Sequence, residues 1–247
     1  MSTNTPIICD INIWYMLSDG RILPESVKDE QLIGTYINGY EFCCTPNILK
    51  DYNKFRNAVK AFKQYPRKYF GEWPVEYIKM LSNLKSCIPG WDQMNRKLDE
   101  VINTEEFQVS EVTRTEYSRY TDELAKAVIP FMEMVEKHRE QILVKAIHKK
   151  RMNDPLVRVQ HKEVTVNVLN QLMGSNNIDW GKFELFVNTF DEWLRQLSIQ
   201  PSLKMTSNDW NDLMNLVYVQ PGSKYWTHDN KKTKVFIRDC GCGHYLF

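Results

Sequence analysis

The stretches MTSNDWND (residues 205–212) and KYWTHD (residues 224–229) decide the predicted fold of this chain. The first begins with hydroxyl side chains. Thr206 or Ser207 can start a helix there, because a hydroxyl group accepts a hydrogen bond from an amide of the first turn. The second stretch is rich in aromatic residues and is typical of a short strand. The turn sequence QPGS at residues 220–223 separates them, so the region predicts a helix followed by a strand.

Carboxylates lie at both ends of the chain, near predicted strand ends. Asp209 and Asp212 are three residues apart and share one face of the predicted helix. Asp229 follows the strand at the edge where ligands bind in parallel α/β sheets. Near the amino terminus, the apolar run at residues 6–9 is typical of a buried strand and stops at Asp10. Acids that converge in this way need a neutralising charge, which a hard divalent cation can supply.

Length and composition exclude several classes of protein. The chain has 247 residues, enough for one large domain or two small ones, and its formal net charge of +1 predicts no global attraction to nucleic acid. It contains no run of eighteen apolar residues, so we expect no membrane span. The first residues lack the pattern of a secretion signal, so we expect a cytoplasmic protein whose six cysteines are reduced.

The rest of the pattern predicts an α/β fold with a parallel central sheet flanked by helices. Residues 5–10, 40–45 and 223–227 are predicted to be neighbouring parallel strands, because each is followed by a helix. Residues 25–33 favour a short amphipathic helix, and apolar residues at three-to-four spacing predict a longer helix up to residue 62.

The middle of the chain differs in character from its two ends. Residues 66–201 are rich in charge and in helical patterns, including one long predicted helix over residues 122–151 that Pro130 should kink or restart. We therefore expect residues 1–65 and 202–247 to form the α/β core. Residues 66–201 would then be a large helical insertion that packs beside the sheet without extending it.

The order of these motifs resembles the PIN-domain nuclease family. The matching stretches are residues 10–12 for an opening Asp-x-Asn, residues 45–51 for a second acidic helix and residues 227–229 for Thr-x-Asp, with Asp209 or Asp212 as the third acid. The resemblance covers residues 5–62 and 202–247, and the end of the chain fits it with a predicted helix over residues 230–240 and a last strand over residues 245–247. It implies cleavage of RNA that depends on Mg²⁺ or Mn²⁺. The family's second acid is usually Glu, whereas Asp51 is one methylene shorter.

This resemblance implies a set of site residues. The candidate catalytic acids are Asp10, Asp51, Asp209, Asp212 and Asp229. Asp10, Asp209 and Asp229 are the expected metal ligands, and Asp209 is favoured over Asp212 because it lies nearer the start of its helix. Asn12 and Thr227 are expected to orient ligands or water.

The basic residues Lys145, Lys149, Lys150 and Arg151 form a helix end that could contact phosphates. The alternative for them is a solvated surface.

Structural alternatives remain open for these residues. Asp10 could be a turn residue at a strand end, and a solvated helix acid is the favoured interpretation of Asp51. Asp209 could serve only its helix dipole, and Asp229 could cap the next helix. Cys240, Cys242 and His244 could form a zinc site with Cys43 and Cys44, although buried cysteines that pack as small apolar groups are the favoured interpretation.

Two functions follow from the sequence. The first is a metal-dependent endoribonuclease. The second is a catalytically silent PIN-like module that binds RNA or a protein partner, or assembles as a homo-oligomer, through the helical insertion.

Overall fold

The computed structural model describes residues 5–85, 91–105, 126, 128–228 and 232–247. Its centre is a sheet of four strands, β1 (Pro6–Cys9), β2 (Gln31–Thr35), β3 (Lys68–Phe70) and β4 (Lys224–Trp226). The strands lie in the order β3-β2-β1-β4, and all neighbouring pairs are parallel. The predicted α/β class with a parallel central sheet is therefore confirmed.

Helices flank this sheet on both sides. In chain order they are α1 (Ile11–Ser18), α2 (Tyr36–Cys44), α3 (Asn47–Lys50), α4 (Tyr52–Gln64), α5 (Pro74–Leu81), α6 (Trp91–Asn103), α7 (128–140), α8 (Lys145–Met152), α9 (Pro155–Met173), α10 (Glu184–Ile199), α11 (Ser207–Asn215) and α12 (Lys232–Asp239). None of the helices in the described ranges is long and apolar enough to cross a membrane.

The position of the second strand was predicted wrongly. The predicted strand over residues 40–45 lies mostly in helix α2, and the predicted helix over residues 25–33 gives way to strand β2. The reason is a capping box: the Thr35 hydroxyl accepts from the Asn38 amide, and the Asn38 side chain accepts from the Thr35 amide. This pair starts a helix directly after the buried strand. The aromatic residues that suggested a strand lie on that helix.

Strand β3 corrects the expectation for residues 66–201. This segment does extend the sheet, because Lys68–Phe70 pairs with β2 in the register Ile33–Lys68. The strand occupies an edge and not the centre of the sheet. Gly34 of β2 allows the rings of Phe62 and Tyr69 to pack closely against the strand. A Cβ atom at this position would lie 2.7 Å from Phe62 Cε2 and 2.9 Å from Tyr69 Cδ1.

Two further predictions differ from the structure. Within the described part of residues 122–151, helices α7 and α8 are separated by a break at residues 141–144, so they do not form one continuous helix. The predicted strand at residues 245–247 is instead a 3₁₀ turn (Gly243–Tyr245) followed by a single bridge between Leu246 and Tyr225.

The two faces of the sheet pack against different helices. Ile7 and Cys9 of β1 belong to one apolar cluster with residues of α1 and α4, where Trp14 meets Phe62 edge-on at 5.6 Å between ring centroids. Ile8 points to the opposite face, as alternation along a strand requires. There it joins a cluster that contains residues of α10, α11 and α12.

The close approach at Gly34 gives a test of the packing. Gly34→Ala should lower the free energy of unfolding by about 1–3 kcal/mol, because the added methyl group overpacks against two rings. The matched control is Gly243→Ala, where the nearest side-chain atom, Arg238 Cγ, lies 3.7 Å from the new Cβ. Urea denaturation of both variants measures the difference. Equal midpoints for Gly34→Ala and the wild type would contradict the packing described here.

Candidate functional site

The carboxyl ends of β1, β2 and β4 meet at one edge of the sheet because the three strands are parallel. Asp10 follows β1 directly, Thr35 ends β2, and Thr227 follows β4. The backbone amide of Asp10 donates to the carbonyl oxygen of Trp226 at 2.9 Å, which holds the ends of β1 and β4 together. Side chains from distant parts of the chain are therefore adjacent at this edge.

The Asp10 side chain is buried at this edge, with an exposed fraction of 3%. Its Oδ1 accepts from the Ile11 amide at 2.6 Å, which caps helix α1. Its Oδ2 accepts from Asn12 Nδ2 at 2.6 Å and from Thr227 Oγ1 at 2.7 Å. The predicted orienting residues Asn12 and Thr227 thus both contact Asp10, and Asn12 Oδ1 also accepts from the His228 amide at 3.2 Å.

Asp10 lines a cleft of about 430 Å³ that also contains Glu41 and Asp212. Helix α2 supplies Glu41, and helix α11 supplies Asp212. Asn12, Asn208 and Asn211 are further polar residues of the wall. Carboxylates from three separate elements therefore face one cavity at the carboxyl edge of the sheet, the position at which parallel α/β proteins bind ligands.

Glu41 is a site residue that the sequence reasoning missed. Its carboxylate accepts a hydrogen bond of 3.4 Å from Asn211 Nδ2. Burial raises the pKa of Glu41 well above its ordinary value, the neighbouring Asp10 carboxylate raises it further, and the Asn211 hydrogen bond opposes both effects. The signal in the sequence was Thr35-x-x-Asn38 after the apolar run of β2, which places Glu41 in the second turn of a helix instead of on a strand.

Asp212 and Asp209 have different surroundings, although they lie on the same helix. Asp209 Oδ2 accepts from the Thr206 amide at 2.8 Å and from the Thr206 hydroxyl at 2.7 Å, completing the capping box of α11. It also forms an ion pair of 2.9 Å with Lys232. Asp212 lines the cleft, with Thr233 Oγ1 3.4 Å from its Oδ2. The structure therefore places Asp212 beside Asp10 and uses Asp209 as a cap.

A stripe of polar residues on α11 explains why Asp212 lines the cleft and Asp209 does not. Asn208, Asn211, Asp212 and Asn215 recur at three-to-four spacing and so share one helical face. Asn215, at the end of this stripe, is buried beneath the cleft. Its Nδ2 donates to the Cys9 carbonyl oxygen at 3.3 Å, and its Oδ1 accepts from the Thr35 hydroxyl at 2.7 Å. Asn215 thereby fixes α11 to the ends of β1 and β2.

Tyr225 lies under the same group of acids. Burial raises its pKa well above the ordinary value, and the Asp10, Asp212 and Glu41 carboxylates raise it further, against a hydrogen bond with Asn215. The three carboxylates are thus close enough to one buried ring to act on it electrostatically. Tyr225 is therefore held in its neutral form near the three carboxylates.

The remaining predicted site residues lie elsewhere or outside the described residues. Asp51 caps helix α4 by accepting from the Lys54 amide at 3.1 Å, and it does not line the cleft. Asp229 lies outside the described residues. Lys145, Lys149, Lys150 and Arg151 belong to α8. Lys145 lines a separate cavity with Arg139 and Ser198. The basic helix end is therefore not part of the acidic cleft.

The structure brings together fewer side chains that could bind a metal ion directly than the sequence predicted. Among the residues that the structure describes, no group of three or more His, Cys, Asp or Glu side chains is placed to hold a metal ion directly. This finding includes Cys240, Cys242, His244, Cys43 and Cys44, so the zinc alternative gains no support. The acids of the cleft share a cavity without forming a closed ligand shell.

The raised pKa of Glu41 predicts a pH-dependent difference in stability. The folded protein binds this proton more tightly than the unfolded chain, so the Glu41 contribution to the free energy of unfolding falls as pH rises from about 4.3 towards the folded pKa. The Glu41→Gln variant has no titrating group at this position, so its free energy of unfolding does not fall in this way. The stability of the variant relative to the wild type should therefore increase over that range, by about 1.4 kcal/mol for each unit of raised pKa.

Chemical denaturation between about pH 4 and pH 8 measures this difference for Glu41→Gln and for a control, Glu25→Gln, whose side chain is exposed. The control should give a difference that does not change with pH. A flat difference for Glu41→Gln as well would show that Glu41 is not held beside Asp10 as described.

Comparison with known proteins gives no relative from which a role could be transferred. No protein-family model, no curated protein and no solved structure matched this chain. The family resemblance therefore stays a prediction that depends on the motifs alone.

Proposed function

We propose that the acidic cleft hydrolyses phosphodiester bonds of RNA with the help of Mg²⁺ or Mn²⁺. The observation that carries this proposal is the convergence of Asp10, Glu41 and Asp212 on one cavity at the carboxyl edge of a parallel sheet. Glu41 also provides the glutamate that the PIN-domain resemblance requires as its second acid. This removes the need for Asp51 and strengthens the resemblance on which the RNA substrate rests.

The donor chemistry of the cleft fits a hard cation. Its charged groups are carboxylates, and side-chain amides of asparagine surround them, so the available ligands are oxygen atoms. Mg²⁺ keeps several of its water molecules and needs only one or two carboxylates, which suits acids that share a cavity without a closed shell. When bound, such an ion lowers the pKa of a water nucleophile and neutralises the leaving oxygen.

The residues of the chain have separate roles in this proposal. Asn12 and Thr227 hold the Asp10 carboxylate in one orientation through hydrogen bonds of 2.6 and 2.7 Å. Asn211 holds Glu41, whose pKa is raised first by burial and then by the negative charge of Asp10, which a cation would offset. Asp212 supplies the third carboxylate. Asp209 has no role in the chemistry, because its charge is paired with Lys232.

A second candidate function is a catalytically silent PIN-like module that binds RNA or a protein partner. One observation favours it: in the described ranges, no three metal-binding side chains lie close enough to ligate one ion directly. Under this alternative, the carboxylates would serve only the hydrogen bonds that join β1, β4 and α11. Metal binding and cleavage measured on the same variants distinguish the two functions.

The two aspartates of α11 provide a matched pair for this test. Asp212→Asn should lower Mn²⁺-dependent cleavage of single-stranded RNA by at least roughly 100-fold, since even outer residues of metal sites contribute 10–100-fold. Asp209→Asn should keep the activity and instead lose about 0.2–1 kcal/mol of stability, because it removes the charge that pairs with Lys232. Fluorescent RNA cleavage and thermal unfolding measure the two effects.

Calorimetric titration with Mn²⁺ completes the experiment, with Asp51→Asn as the variant outside the cleft. Wild type and Asp51→Asn should bind Mn²⁺ equally, whereas Asp10→Asn should bind it more weakly. Wild-type protein that binds Mn²⁺ but cleaves no RNA would support the silent module. Cleavage that persists in Asp212→Asn would remove the proposed mechanism.

A further inference from the structure

A second cluster of reactive groups lies at the end of helix α12, where Cys240 and Cys242 flank Gly241. Gly241 has a φ of 81°, a left-handed conformation that glycine adopts without strain. The Cys242 amide donates to the Ile237 carbonyl oxygen at 2.9 Å and the Gly241 amide donates to the Arg238 carbonyl oxygen at 3.0 Å. These two bonds form a Schellman motif, which ends the helix and fixes the backbone between the two cysteines.

The two thiols interact with each other and are not joined by a disulfide. Cys240 Sγ donates to the Ile237 carbonyl oxygen at 3.3 Å. Asn188 of α10 donates its amide to Cys242 Sγ at 3.3 Å. The hydrogen bond from Cys240 lowers the pKa of Cys242 to about 6, with help from Asn188 and against the effect of burial. The pKa of Cys240 is raised correspondingly.

We propose that Cys240 and Cys242 form a redox-active dithiol that small-molecule disulfides convert into an intramolecular disulfide. Residues two apart across a turn bring their Cα atoms into the roughly 4.4–6.8 Å that a disulfide spans. The fixed turn at Gly241, with one cysteine on each side of it, therefore suits ring closure. This site is separate from the acidic cleft, and the proposal does not depend on the proposed nuclease activity.

The exposure of the two residues sets the order of the reaction. Cys240 is partly exposed and meets the small disulfide first, whereas Cys242 is buried, with 2% of its surface accessible. At neutral pH the pair holds one proton. This proton passes to Cys242 as the Cys240 sulfur attacks, forming a mixed disulfide and releasing one small thiolate. That thiolate takes the proton from Cys242.

The second exchange closes the ring. The Cys242 thiolate attacks the Cys240 sulfur of the mixed disulfide and expels the second small thiolate, which takes a proton from water. Overall, the two cysteine sulfurs lose two electrons, and the small disulfide is reduced to two thiols. The buried position of Cys242 favours this intramolecular step over attack by a second small molecule.

The chain contains a matched pair of cysteines for comparison. Cys43 and Cys44 are adjacent at the end of helix α2 and are also free thiols. Burial raises the pKa of Cys43 to about 11, so Cys43 forms little thiolate at neutral pH and cannot act as the base that the Cys242 thiolate provides for Cys240. Exposure of the sulfur atoms alone would not make one pair react faster than the other. The proposed dithiol predicts that Cys240 and Cys242 react before Cys43 and Cys44.

The experiment treats the reduced full-length chain with 2-hydroxyethyl disulfide at pH 7 and follows its intact mass, with peptide mapping of the linked cysteines. The wild type should lose two hydrogen atoms through a Cys240–Cys242 link, at least tenfold faster than Cys43 or Cys44 reacts. Cys242→Ser should stop at a stable adduct on Cys240, and Cys43→Ser should behave as the wild type. Dithiothreitol should reverse the link.

Three outcomes would overturn the proposal. The first is a wild-type chain that keeps its mass, and the second is one that carries only an adduct on Cys240. The third is a link from either cysteine to another part of the chain, including Cys87, which lies outside the described residues. Because the decisive measurement uses the wild type, it does not require any variant to fold.

Discussion

The hydrogen bond between Thr227 Oγ1 and Asp10 Oδ2, 2.7 Å long and buried, is the contact that the candidate site depends on. It joins residues that are 217 positions apart. It lies beside the backbone bond from Asp10 to Trp226, so the carboxylate and the strand ends are positioned together. A charged acceptor in a buried place needs such donors, because an unsatisfied carboxylate there would cost several kcal/mol. Glu41 and Asp212 then approach a group whose orientation is already fixed.

The sequence predicted the parts of the fold in which local pattern and tertiary packing agree. The run at residues 6–9 is apolar, short and followed by an acid, and it forms β1 as expected. The stretch at residues 224–226, which contains Tyr225 and Trp226, forms β4, and the cap at Thr206 starts α11. At each of these positions, strand or helix preference, burial and the next turn favour the same structure. Where these signals agree, the local structure can be predicted from a single sequence.

The errors arose where local preference and the cap signal disagreed. Residues 40–45 carry aromatic and sulfur side chains that suit a strand, but the Thr35–Asn38 capping box sets a helical period through them. Assigning a strand there hid Glu41 and led to Asp51, which only caps α4. The preference for Asp209 as a metal ligand also came from local pattern, and it stays a prediction. Nearness to the helix start favoured it, but nearness to the cap is also what engages it with Thr206.

The polar stripe on α11 is visible in the amino-acid pattern and favours Asp212 over Asp209. Four polar residues at helical spacing run from the exposed Asn208 to the buried Asn211 and Asn215, so the buried part of this face meets hydrogen-bonding groups of the protein. Asp212 belongs to this face, whereas Asp209 does not. What the sequence could not provide was the partner of each residue. The contacts of Asn215 with Cys9 and Thr35 depend on strand order, which no local pattern contains.

The distance in sequence between Asp10 and Thr227 also bears on how the chain folds. Strand β1 pairs with β2 early in the chain, yet its other neighbour, β4, is made more than two hundred residues later. During synthesis, one edge of β1 and the apolar face around Ile8 must wait until α10, α11 and β4 emerge. Contacts between residues so far apart in sequence slow folding, and until they form, an unpaired strand edge is exposed to other chains. The cleft is thus among the last parts of the molecule to assemble.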